Sequence, residues 1–106
     1  MKDQRKGGTF VPANYPALRE SLPGYLHEDF QEASGTAAEA IEAFLHEASG
    51  DEIQQVRGEW QRLRAHFAGR PLAELQAGLV RLGIAWRPAS EEDLRVIDEI
   101  LTSGKA

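Results

Sequence analysis

Apolar residues recur every three or four positions along most of this chain, the spacing of helices that bury one face. Tyr15, Leu18 and Leu22 begin the pattern, and Pro16, suited to a first helical turn, predicts a short helix over 16–22. Pro23-Gly24 should break it before Tyr25-Leu26-His27-Glu28-Asp29-Phe30 continues as another helical turn or two, with Tyr25, Leu26 and Phe30 on its apolar side. Thr36 and Glu39 then form a capping-box pattern, in which each side chain satisfies a backbone N–H of the other's turn. The helix they open has Ala37, Ala40, Ile41, Phe44, Leu45 and Ala48 on one face. Ser49 and Glu52 repeat the signal for a helix carried by Ile53, Val56, Trp60, Leu63 and Phe67. The short link at Ser49-Gly50 predicts that these are two consecutive antiparallel helices.

Gly69-Arg70-Pro71 is a stop followed by a start. Leu72, Leu75, Leu79 and Leu82 make the seam of a further helix, which Gly83 is placed to end in a left-handed conformation. Ile84-Ala85-Trp86-Arg87-Pro88 has extended character, but a lone strand needs a partner and no second strand-like run exists, so it reads as a packed loop. Ser90 and Asp93 open the last helix, with Leu94, Ile97, Ile100 and Leu101 facing inward. The expected fold is all-α, a compact single-domain bundle of about five helices with short loops. A chain of 106 residues closes one core. Residues 1–13 read as a flexible arm anchored late by Phe10 and Val11, 14–103 as the helical domain, and 104–106 as a frayed end.

Composition narrows the chemistry. The chain has no cysteine, so disulfides, thiol nucleophiles and thiolate metal sites are excluded. No apolar run approaches the roughly 20 residues of a membrane span, and the start lacks the apolar core of a signal peptide, so a cytoplasmic location is expected. The net charge is −5, unevenly distributed. From Glu20 to Glu52 stand nine carboxylates (Glu20, Glu28, Asp29, Glu32, Glu39, Glu42, Glu47, Asp51, Glu52) and no lysine or arginine. From Arg57 to Arg87 six arginines face only Glu59 and Glu74.

A catalytic or metal site is not visible. His27-Glu28 lacks the second imidazole four residues after the first that a helical zinc motif requires, and His46 and His66 are scattered. No serine sits in a Gly-x-Ser-x-Gly elbow, and Gly7-Gly8 has neither the preceding strand nor the lysine of a phosphate loop. No enzyme activity, cofactor or metal is expected. Arg57, Arg64 and Arg81 could align as phosphate contacts, but the acidic half would repel the same polyanion, so nucleic-acid binding is the weaker reading. The acidic segment can be the solvated outer side of two amphipathic helices. It can also be a field that steers a basic protein partner. Tyr25, Phe30 or Trp86 could anchor such a partner if partly exposed; the competing reading places all three in the core, and for Trp86 it is preferred.

The segment Tyr15-Pro16-Ala17-Leu18, then Leu22, then Tyr25-Leu26-His27-Glu28-Asp29-Phe30 resembles the opening of a family of small helical bacterial immunity proteins of contact-dependent growth inhibition and related toxin systems. The family pattern has Tyr-Pro and a leucine, an aromatic pair, His-Gln-Asp and a closing aromatic; here Leu26 replaces the second aromatic, Glu28 the glutamine, and Phe30 a common tryptophan. The likeness runs through Ser49-Gly50-Asp51-Glu52 and from Leu79-x-x-Leu82-Gly83 to Trp86-x-Pro88, covering roughly residues 15–101. It implies a cytoplasmic protein that binds and blocks the toxin domain of a matching effector, in many cases a nuclease with a basic cleft. Tyr15, Pro16, Leu18, Leu22, His27, Asp29, Phe30, Trp60 and Trp86 are then read as structural. Glu28, Glu32, Glu39, Glu42, Glu47 and Asp51, with Tyr25, are the candidate partner-binding residues. The rival from another class is an acidic helical adaptor with no toxin partner.

Overall fold

The computed structural model describes residues 10–27 and 35–103. Within them the chain forms five α-helices: α1 (Pro16–Ser21), α2 (Ala37–Glu47), α3 (Gly50–His66), α4 (Leu72–Arg81) and α5 (Glu91–Ser103). Short 3-10 turns at Pro12–Asn14 and Leu22–Gly24 flank α1. No strand occurs among the described residues, and the all-α bundle expected from the sequence is the fold observed.

The local signals explain most boundaries. Thr36 Oγ1 accepts the Glu39 N–H at 3.1 Å while Glu39 accepts the Thr36 N–H at 3.3 Å, and Ser49 and Glu52 repeat both bonds at 3.1 and 3.3 Å. Ser90 Oγ accepts the Asp93 N–H and Asp93 accepts the Ala89 N–H, fixing the start of α5. Gly83 ends α4 at φ +84°, its N–H bonded to Val80 O and the Ile84 N–H to Leu79 O, which satisfies two carbonyls of the last turn. Residues 84–88 are a loop with Ile84 and Pro88 buried, tied across the fold by the Ala85 N–H on Leu26 O at 2.8 Å.

Two expectations are corrected. Tyr25, Leu26 and His27 form a turn and bend, so the helical turn expected over 25–30 does not begin at Tyr25, where the chain turns after Pro23-Gly24 and Leu26 O is engaged by Ala85; Glu28, Asp29 and Phe30 lie outside the described residues. The antiparallel pairing of α2 with α3 is also not the main packing. Instead α1 lies on α3 and α2 on α5, with α3 also against α5. Ala48 and Ser49 are both extended, so they redirect the chain instead of closing a tight helical hairpin.

One core joins all these elements. Leu18, Leu22, Leu26, Ile41, Phe44, Val56, Leu63, Leu79, Ile84, Leu94, Ile97 and Leu101 are almost fully enclosed. Each such side chain contributes on the order of 1.5–3 kcal/mol on burial. Phe10 reaches this core through Tyr15 and Phe67, both with ring centroids 5.4 Å away, while Val11 stays exposed.

Candidate functional site

The first turns of α2 bury Ala37, Ala40 and Ile41, and helical periodicity therefore places Glu39 and Glu42 on its outer side, where both are exposed. Glu47 closes α2, and after the extended Ala48-Ser49 link Asp51 and Glu52 occupy the first turn of α3. Carboxylates suit that position because free N–H groups give a helix start partial positive charge. The fold thus gathers Glu39, Glu42, Glu47 and Asp51 on one helix and its junction with the next. Glu28, Asp29, Phe30 and Glu32 lie outside the described residues.

These acids do not stand alike. Glu39 and Glu52 are engaged in the capping boxes. Glu47 accepts a hydrogen bond from the Tyr25 hydroxyl, whose ring packs edge-on against buried Phe44 at 5.6 Å. The Glu47 bond, then burial, then the charges of Glu47 and Glu52 push the Tyr25 phenol up to about 12. Among the described residues, no lysine or arginine pairs with Glu39, Glu42, Glu47, Asp51 or Glu52.

Most of the arginines are engaged elsewhere. Arg64 bonds both oxygens of Asp98 at 3.0–3.2 Å and Glu91 at 2.7 Å, and Asp98 also accepts the Trp60 indole N–H at 2.6 Å. The bonds to Asp98 hold the Arg64 guanidinium charged more firmly than usual. Arg57 donates to Leu101 O near the end of α5. Arg81 donates to Phe10 O at 3.3 Å and lies over the Phe10 ring, and Arg62 does the same for Asn14 O and the Tyr15 ring. Arg57, Arg64 and Arg81, considered above as phosphate contacts, are each hydrogen-bonded within the fold.

The family-like opening has a receptor that sequence reading missed. Glu59 of α3 is only 9% exposed, and its two carboxylate oxygens accept the backbone N–H groups of Ala17 and Leu18 at 3.1 and 2.9 Å. α1 has no cap of its own, so a side chain some forty residues away caps it. Tyr15, Leu18 and Leu22 are buried beside it, with Pro16 exposed at the helix start. No local pattern marks Glu59; the only signal was an acid within a stretch of arginines.

A family model described as CdiI immunity protein matches residues 14–93. The chain belongs to the CdiI immunity protein family. No curated protein and no solved structure matches it significantly. The matched span contains the Tyr15-Pro16 opening, its Glu59 cap and the acid-bearing α2–α3 junction. Membership in the CdiI family gives the chain an immunity function and, in general terms, a cognate toxin as partner.

The remaining predicted residues take defined places in this CdiI-family fold. Trp60 is 3% exposed. Trp86 is half-buried instead of enclosed, lining a shallow groove with Thr36, Ala38, Arg87 and Val96. His27 is exposed at the rim of another groove, beside Pro23 and Val80. Among the described residues no three His, Asp or Glu side chains converge to hold a metal ion, and no helix is long and apolar enough to cross a membrane.

Proposed function

We propose that this CdiI-family protein neutralises a toxin domain with a basic surface, such as a nuclease cleft, by docking the carboxylate-bearing outer side of α2 and the first turn of α3 onto it. The observation that carries the reading is the division of charge: Arg57, Arg62, Arg64, Arg70 and Arg81 are tied to backbone carbonyls and to Glu74, Glu91 and Asp98, while the acids from Glu39 to Glu52 have no basic partner among the described residues. Like charges held on one small fold repel one another, a cost that a basic partner relieves, and their field accelerates encounter with it. Among the described acids from Glu39 to Glu52, Glu42 and Asp51 are those that no capping box or phenol engages, which makes them the primary contacts. The protein acts in the cytoplasm of the toxin-producing bacterium.

The test is co-purification with the C-terminal domain of the toxin encoded beside this gene, with rescue of toxicity as the functional readout. Glu42→Gln with Asp51→Asn should slow association strongly at low salt and much less at high salt. A complex whose association rate ignores both substitutions refutes the acidic interface, and a toxin domain that is neither bound nor neutralised refutes that pairing.

A further inference from the structure

The acids of this side differ in what their own helices ask of them. Glu39 and Glu52 sit three residues into a helix, where a carboxylate satisfies backbone N–H groups and the helix start favours negative charge. Glu47 is the last residue of α2, where unsatisfied carbonyls already carry partial negative charge. A carboxylate there opposes the helix dipole, and no basic side chain among the described residues offsets it. An exposed glutamate in such a place would ordinarily sample several rotamers. This one is held by a hydroxyl 22 positions earlier in the chain. The Tyr25 ring that carries the hydroxyl is itself fixed edge-on against Phe44, a residue 1% exposed. The fold therefore immobilises a charge at a position that α2 alone disfavours.

We infer that Tyr25 is a positioning residue for the toxin-facing carboxylate of Glu47: its hydroxyl engages Oε1 and leaves Oε2 available to a basic group of the partner. The inference rests on the acidic-interface reading above and changes the part assigned to Tyr25 from contact to support. A carboxylate fixed before encounter loses less freedom when it binds, which favours a slower dissociation rate. Charge supplies the steering, and Glu47→Gln removes it. Tyr25→Phe keeps the charge and the ring packing and removes only the restraint.

The experiment measures association and dissociation rates between the full chain and the toxin C-terminal domain encoded beside its gene, at low and high salt, alongside melting temperature. Glu47→Gln keeps an acceptor for the Tyr25 hydroxyl and removes a charge the helix end disfavours, so the weaker bond and the relieved dipole offset and the melting temperature should change little, while binding weakens roughly 5–10-fold. Tyr25→Phe should leave the association rate and its salt dependence unchanged and raise the dissociation rate roughly threefold. Added to Glu47→Gln, it should weaken binding no further, since the group it positions has lost its charge; a general loosening of the fold would weaken both backgrounds alike. Tyr25→Phe with native dissociation, or with an additive effect, overturns the positioning role. If Glu42→Gln and Asp51→Asn weaken binding and Glu47→Gln does not, the inference fails while the interface stands. If none of the three matters, the interface itself is wrong and the inference falls with it.

Discussion

The carboxylate of Glu59 accepts the backbone N–H of Leu18 at 2.9 Å inside the bundle, and its second oxygen takes the neighbouring Ala17 N–H. A helix of six residues has little intrinsic stability, so α1 depends on this contact and on the burial of Leu18. Glu59→Ala leaves two N–H groups unsatisfied at the α1–α3 contact and should lower the unfolding free energy by about 1–3 kcal/mol. Glu59→Gln keeps one acceptor oxygen and should cost less. Urea denaturation of the two variants decides this; equal stabilities of Glu59→Ala and the native chain would remove Glu59 as the cap.

Asp98 ties α5 to α3 by accepting from both Trp60 and Arg64. Asp98→Ala leaves a mostly buried indole N–H without a partner and weakens the hold on Arg64, at a cost of about 1.5–3 kcal/mol. The exposed pair of Arg95 with Glu92 is the control, because solvent screens it and Glu92→Gln should leave the denaturation midpoint unchanged. The opposite ranking of the two variants would contradict the network's role.

His66 is set between Phe10 and Phe67, and its Nε2 is buried without a hydrogen-bond partner among the described residues. Burial first, and the Arg70 charge second, lower its pKa, with Glu74 opposing. Below about pH 6.5 the unfolded chain takes up a proton that the folded His66 resists, so stability falls from there until the pH reaches the folded pKa, then levels off. His66→Leu should therefore lose less stability than the native protein between pH 7.5 and 5.5 by denaturant titration. An identical loss in both would show that carboxylates alone set the acid response.

Tyr25 has the reverse sign. Its phenol is held neutral up to about 12 by the bond to Glu47, whereas an unfolded tyrosine ionises near 10. The stability this supplies is complete below pH 10 and is lost as the pH rises from 10 towards 12. Absorbance titration of the native protein against Tyr25→Phe should assign the later-ionising phenol to Tyr25, and a phenol ionising at 10 would show that the Glu47 bond is absent in solution.

What could be read in advance was what the chain writes locally. Thr36 with Glu39, Ser49 with Glu52, and Gly83 after a leucine seam each lie within a few residues of the partner they bond, and each appears in the structure as expected. Glu59 with Leu18, Trp60 with Asp98, and Tyr25 with Glu47 are pairs brought together only when α1 lies on α3, α5 on α3, and the turn after Gly24 on α2. Side-chain pattern specifies a buried face without specifying its partner, so the pairing of α2 with α5 was not legible. On the candidate site, the carboxylates were visible as a run of like charge, but which were engaged and which open was a property of the fold.

Two glycines in helices test that distinction with one substitution of opposite sign. At Gly58 of α3 a Cβ would meet nothing within 4 Å, so Gly58→Ala adds no clash and restricts the unfolded chain, which should stabilise by about 0.5–1 kcal/mol. At Gly78 of α4 the same Cβ would stand 2.9 Å from Phe67 Cζ, inside van der Waals contact, with Phe10 directly behind. Phe67 also packs against Phe10 and His66, so it cannot withdraw without disturbing the cluster that anchors Phe10. Gly78→Ala should destabilise by about 1–3 kcal/mol, its gain in helix propensity being outweighed by overpacking. Thermal melts of the two variants should move in opposite directions from the native protein, and a Gly78→Ala melt above native would mean that α4 is free to draw away from Phe67.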